Sequence, residues 1–194
     1  MRWLSLCTSS ETARNAGAVF ILLSCALLIG LLGIDSSGPL WDDGPRYTNA
    51  AAMMRDWYLS KKLFAPIEFA KADYARFPGF NIPFHPPAYP ALMALFYLVV
   101  GESYFTSRLF VALMSGLAAI ALHGILRIDG RSRYIALAAA LLMLTTPEFM
   151  KWSRCTMSEI PSIAIMLLAS YYSNCKHVPA ITDSVWAFSK LRLP

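Results

Sequence analysis

An uncharged apolar run from Ala16 to Ile34 constrains this chain more than any other feature, because few environments accept such a segment. As a helix it spans about 28 Å at about 1.5 Å per residue, close to the hydrocarbon thickness of a bilayer. A cleaved signal peptide is the competing reading. The run exceeds a usual h-region, however, and the residues after it, Asp35, Ser36, Ser37 and Gly38, offer no small-residue cleavage pattern, so an uncleaved anchor is expected. Composition agrees. Hydrophobic residues make up 57% and charged residues 15% of the chain, with a mean hydropathy of +0.48, whereas an ordinary soluble domain carries roughly 25% charged residues. The expected class is an all-α polytopic membrane protein.

Three further apolar stretches are long enough to consider as spans. Phe105 to Leu126 holds one charge, Arg108, near its start; Tyr134 to Thr146 is uncharged and extends to Met150; Ile160 to Ser173 carries no charge. The last two are short and need interfacial extensions. Ala88 to Gly101 is shorter still, follows Pro83, Pro86 and Pro87, and contains Pro90. It reads as a helix at the interface rather than a crossing. Topology supports that choice, because a crossing there would expose the basic loop of Arg127, Arg131 and Arg133 outside the cytoplasm, against the positive-inside rule. The expected order is a cytoplasmic N-terminus at 1–15, a span at 16–34, an outer loop with juxtamembrane helices at 35–101, and a span at 105–126. A cytoplasmic loop at 127–133, a span at 134–150, an outer loop at 151–158, a span at 159–173 and a tail at 174–194 complete it. Asp42, Asp43, His85, Arg108, Arg154 and Glu159 then share the non-cytoplasmic face.

The first outer segment is aromatic-rich and carries no net charge. Between Pro45 and Phe64, Tyr47, Ala50, Ala51, Met54, Tyr58 and Phe64 fall roughly on one helical face. That pattern suits a helix on the membrane surface, or equally one of a small outer domain. The net charge of +5 does not indicate nucleic acid, since the basic residues are spread along the chain without a basic and aromatic patch. Cys7, Cys25, Cys155 and Cys175 are isolated, and no zinc-type spacing occurs, so they read as packing residues.

Four short motifs remain: Asp43-Gly44-Pro45-Arg46-Tyr47, Phe84-His85-Pro86-Pro87-Ala88-Tyr89-Pro90, Gly101 to Leu109 with Arg108, and Ser153 to Pro161 with Arg154 and Glu159. The first also reads simply as a capped helix start with proline in the first turn. Taken in this order, the four resemble the landmarks of the bacterial branch of the GT-C glycosyltransferases. That group includes the dolichyl-phosphate-mannose protein mannosyltransferases and the aminoarabinose transferases. The similarity runs from about Trp41 to Tyr172.

The resemblance implies a multi-pass integral enzyme of the cell membrane that moves a sugar from a polyprenyl-phosphate donor to an acceptor on the non-cytoplasmic face. For a bacterial protein that membrane is the inner one. In the family an acidic residue of the first outer loop is held to be the catalytic carboxylate, and Asp43 stands at its position. Gly44 occupies the place where a second acid is common. Transfer needs a carboxylate base for the acceptor and cations for the departing phosphate. The resemblance assigns Asp43 as base and His85, Arg108 and Arg154 to phosphate contacts, with Glu159 orienting the acceptor, positioning a basic side chain or joining Asp43 at a metal. Metal use varies in the family, and the sequence implies none. Arg108 and Arg154 also suit interfacial anchors, Glu159 a structural salt bridge and His85 a turn. Family members generally have more spans, so the chain resembles their N-terminal part, a truncated transmembrane module expected to be inactive alone. A membrane remnant or interaction protein is the alternative. A small transporter or channel subunit is disfavoured, since no span carries a central charge.

Overall fold

A computed structural model describes residues 9–32, 43–60, 64–76 and 87–190, with side chains described for 15–32, 43–60, 64–75 and 87–175. Every regular element among them is helical: α1 (Ser9–Leu31), α2 (Gly44–Leu59), α3 (Pro66–Arg76), α4 (Ala88–Val100), α5 (Tyr104–Ile128), α6 (Arg133–Thr145), α7 (Pro147–Ser153) and α8 (Glu159–Lys190). Local chemistry sets several of these boundaries. Gly101 takes φ 90° after α4, a conformation glycine reaches without strain. Ser103 then caps α5, its Oγ accepting from Thr106 N at 3.0 Å, and Ser132 caps α6 by accepting from Ile135 N at 3.3 Å.

The expected helix over 134–150 is broken. Thr146 is extended at φ −63° and ψ 136°, and the chain restarts as α7 with Pro147 in its first turn. A residue before proline is pushed out of the α region, which explains the break. The two pieces differ in direction by 66°. The expectation of four straight spans is correspondingly reduced. Among the described residues one helix, Tyr104–Ile128, is long and apolar enough to cross a bilayer, and the bent pair Arg133–Thr145 with Pro147–Ser153 adds a second if counted as one span. Asn15–Leu31 and Ala88–Val100 are shorter apolar helices. The tail expected from residue 174 continues α8 as helix to Lys190.

Helix α5 is the centre of the bundle, packed chiefly against α8 and α1 and then α6. Small residues bring the axes close. A Cβ on Gly30 of α1 would lie 2.6 Å from Ala112 Cβ of α5, and one on Gly124 of α5 would lie 2.6 Å from the Tyr171 ring of α8. Such contacts are how helices associate where burial of apolar surface gives little drive. The outward faces are apolar too: Phe20, Leu28, Leu142 and Met166 are each more than 60% exposed. Outward apolar side chains of this size suit a nonaqueous neighbour.

Helices α2 and α4 form a separate layer, packed mainly on each other. Tyr47 and Tyr89 meet edge to face at 5.0 Å between ring centres. Tyr97 Oη and Ser107 Oγ lie 2.6 Å apart, fixing α4 to α5. At the other end of α2, Arg55 pairs with Asp56 and with Glu102 in the α4–α5 turn. This layer therefore has a fixed seat on one end of the bundle.

Candidate functional site

Two arginines define that end. The last carbonyls of a helix have no intrahelical partner and carry its negative dipole, so cations stabilise them. Arg108, in the first turn of α5, donates through Nη2 to Gly30 O at 2.6 Å and through Nη1 to Tyr104 Oη at 3.2 Å. Arg154, which follows α7, donates through Nε to Ile29 O at 3.0 Å. Both side chains thus reach the final turn of α1, and α1, α5 and the α7–α8 loop share one end.

The two are not equivalent. Arg108 has no exposed surface, so its guanidinium serves the packing of α1 on α5 and is poorly placed for a phosphate contact. Arg154 is half-buried and spends only Nε on α1, with its terminal nitrogens bonded to no described group. It is the better candidate cation.

Asp43 stands at the N-terminus of α2. Its side chain makes no cap, unlike the helix-start reading of the sequence; instead Arg46 Nη1 donates to Asp43 Oδ1 at 2.9 Å. This exposed pair adds little stability but orients the carboxylate. The residue after it explains a departure from the resembled pattern. A Cβ on Gly44 would lie 2.7 Å from Thr156 Oγ1, and Thr156 is buried in the α7–α8 loop. No second acid fits there.

One turn on, Tyr47 Oη lies 3.3 Å from Ser158 Oγ. The N-terminus of α2 is therefore docked on the loop that carries Arg154 and leads into Glu159, the first residue of α8. Among the described residues, Glu159 Oε2 is buried without a hydrogen-bond partner, as is the hydroxyl of Tyr89. Burial pushes the Tyr89 phenol well above its usual value, with Tyr97, Tyr47 and Glu159 adding to the effect. The phenol stays a neutral donor. Cys155 is buried in the same loop, and desolvation raises its thiol as well.

The structure thus gathers Asp43, Arg154 and Glu159 around the α2–loop joint and gives Arg108 a structural place beside them. His85 and Asp42 lie outside the described residues. Among the described residues, no three His, Cys, Asp or Glu side chains form a metal-holding group. The sequence reading passed over Tyr47, Tyr89 and Ser158. All three stand inside the four sequence motifs, but a side chain in such a motif reads as packing until its hydroxyl is located.

Residues 84–177 match the family model described as dolichyl-phosphate-mannose-protein mannosyltransferase. The matched segment takes in three of the four sequence motifs, and with them Tyr89, Arg108, Arg154 and Glu159. Asp43 to Tyr47 lies outside it. The chain has no significant match among curated proteins or solved structures. The resemblance read from the motifs therefore holds over this part of the chain, as that of a membrane glycosyltransferase of the GT-C type.

Proposed function

We propose that this chain, which carries a partial glycosyltransferase match over residues 84–177, is the site-bearing part of an enzyme that transfers a sugar from a polyprenyl-phosphate donor. The acceptor is a hydroxyl on the non-cytoplasmic face, and the membrane is the inner one of a bacterium. Helices α1, α5, α6 with α7, and α8 form the membrane bundle, with α2 and α4 lying at its outer surface. The outward apolar residues on α1, α6 and α8 support this arrangement.

One observation carries the reading. The close approach of Gly44 to Thr156 seats the acidic start of α2 on a loop inside the family-matched segment. Asp43 then acts as general base: it takes the proton of the acceptor hydroxyl as the acceptor oxygen bonds to the anomeric carbon and the bond from that carbon to the phosphate oxygen breaks. The electron pair leaves with the polyprenyl phosphate. Arg154 is the cation that stabilises the departing charge, aided by its capacity to hold phosphate oxygens bidentately. His85 is a second candidate for that role, Arg108 positions α5 against α1, and Glu159 orients a hydroxyl.

The test is transfer from radiolabelled polyprenyl-phosphate-mannose, in nanodiscs, by this chain extended with a family-like C-terminal half, with water or a hydroxyl acceptor. Asp43→Asn should keep insertion and helix content while lowering sugar release by about a hundredfold or more, the usual cost of losing a general base. Equal rates in the Asn variant would remove Asp43 from the mechanism.

A further inference from the structure

We propose that Tyr89, together with Glu159, forms a recognition site for one hydroxyl of the transferred sugar. This deepens the glycosyl-transfer reading and rests on it. The hydroxyl of Tyr89 and Oε2 of Glu159 are both buried, and neither has a hydrogen-bond partner among the described residues. Tyr89 as a whole is only 6% exposed. Leaving a buried polar group unpaired costs about 1–3 kcal/mol, and more when it is charged, so two such groups at one place form a site that is incomplete without a ligand.

Their neighbourhood narrows what completes it. The Tyr47 ring packs against Tyr89 at 5.0 Å, and the Tyr47 hydroxyl reaches Ser158, the residue before Glu159. Tyr89 and Glu159 thus face the same joint between α2, α4 and the start of α8. The phenol has one proton to give. The carboxylate can only accept when ionised. A single group that accepts from one and donates to the other satisfies both, as a hydroxyl does. An ammonium would leave the phenol proton unmatched, and a phosphate would face the carboxylate with like charge. The hydroxyl-bearing group nearest a departing lipid phosphate is the sugar itself.

The pair is therefore a selector for sugar on the donor lipid and does not contribute to binding its phosphate or tail. Two lipids distinguish these contributions: polyprenyl-phosphate-mannose and polyprenyl phosphate without sugar. Each is titrated into the chain in nanodiscs, and binding is followed by tryptophan fluorescence. The unmodified chain should prefer the mannosyl lipid. Tyr89→Phe, which keeps the ring and removes only the hydroxyl, should reduce that preference about tenfold, the equivalent of about 1.4 kcal/mol. Glu159→Gln should reduce it similarly, and both should bind the bare lipid as before. A variant that retains the full preference for the mannosyl lipid overturns the proposal while leaving the donor reading intact. So does an equal loss for both lipids, which marks a packing role. If the unmodified chain binds neither lipid, the donor reading itself fails and takes the hydroxyl site with it.

Discussion

Replacing Gly44 by alanine perturbs the joint on which the candidate site depends. An ideal Cβ at this position lies 2.7 Å from Thr156 Oγ1, where ordinary contact begins at 3.4 Å. The threonine has little room to yield. It is 4% exposed, and a β-branched side chain is restricted at χ1. Overpacking of this kind costs about 1–3 kcal/mol, against which alanine gains at most about 1 kcal/mol over glycine in a helix. Gly44→Ala should therefore destabilise by about 0.5–2 kcal/mol and reduce sugar transfer, because Asp43 moves with the start of α2. Thr156→Ala removes the obstructing oxygen and makes room for the new methyl. The double variant should regain most of the loss, with a coupling of about 1–2 kcal/mol between the two positions. Thr156→Ser keeps the oxygen and should rescue poorly. Unfolding in mixed detergent micelles, followed by circular dichroism, gives the four stabilities of the cycle. A coupling within about 0.5 kcal/mol of zero would refute the seating of α2 on the α7–α8 loop and undo the argument that Asp43 and Glu159 share a site.

Arg108→Met should lower stability by about 1–3 kcal/mol, because the Gly30 carbonyl in the last turn of α1 loses its donor; stability equal to the parent in the same micelle assay would show that relief of the buried charge outweighs the tether. The proposed orientation is checked with Arg131→Cys in an otherwise cysteine-free chain. An impermeant thiol reagent should reach that cysteine only after the cytoplasmic side is opened, and labelling of intact cells would invert the assignment of faces.

The membrane character was legible without coordinates, since uncharged apolar runs and a low charged fraction leave a chain little choice of solvent. So were the short helix after the prolines, formed as Ala88–Val100, and the motif resemblance over residues 84–177, which needs only residue types in order. The break at Thr146 was legible in principle, because Pro147 follows it, but an apolar run without charges hides a bend whose direction depends on packing. The roles of the two arginines could not be read locally. Arg108 and Arg154 look alike in sequence, each a cation beside an apolar stretch. They part company only because Gly30 and Ala112 let α1 approach α5 closely enough to bury the Arg108 guanidinium on the Gly30 carbonyl, whereas Arg154 meets the same helix end from a loop and stays half-buried. Hydroxyl chemistry behaved the same way. Sequence alone determined that Tyr47, Tyr89 and Glu159 were present and in what order; tertiary structure alone decided that α2, α4 and α8 bring them to one joint, because buried polar groups acquire or lack partners through contacts between elements far apart in the chain.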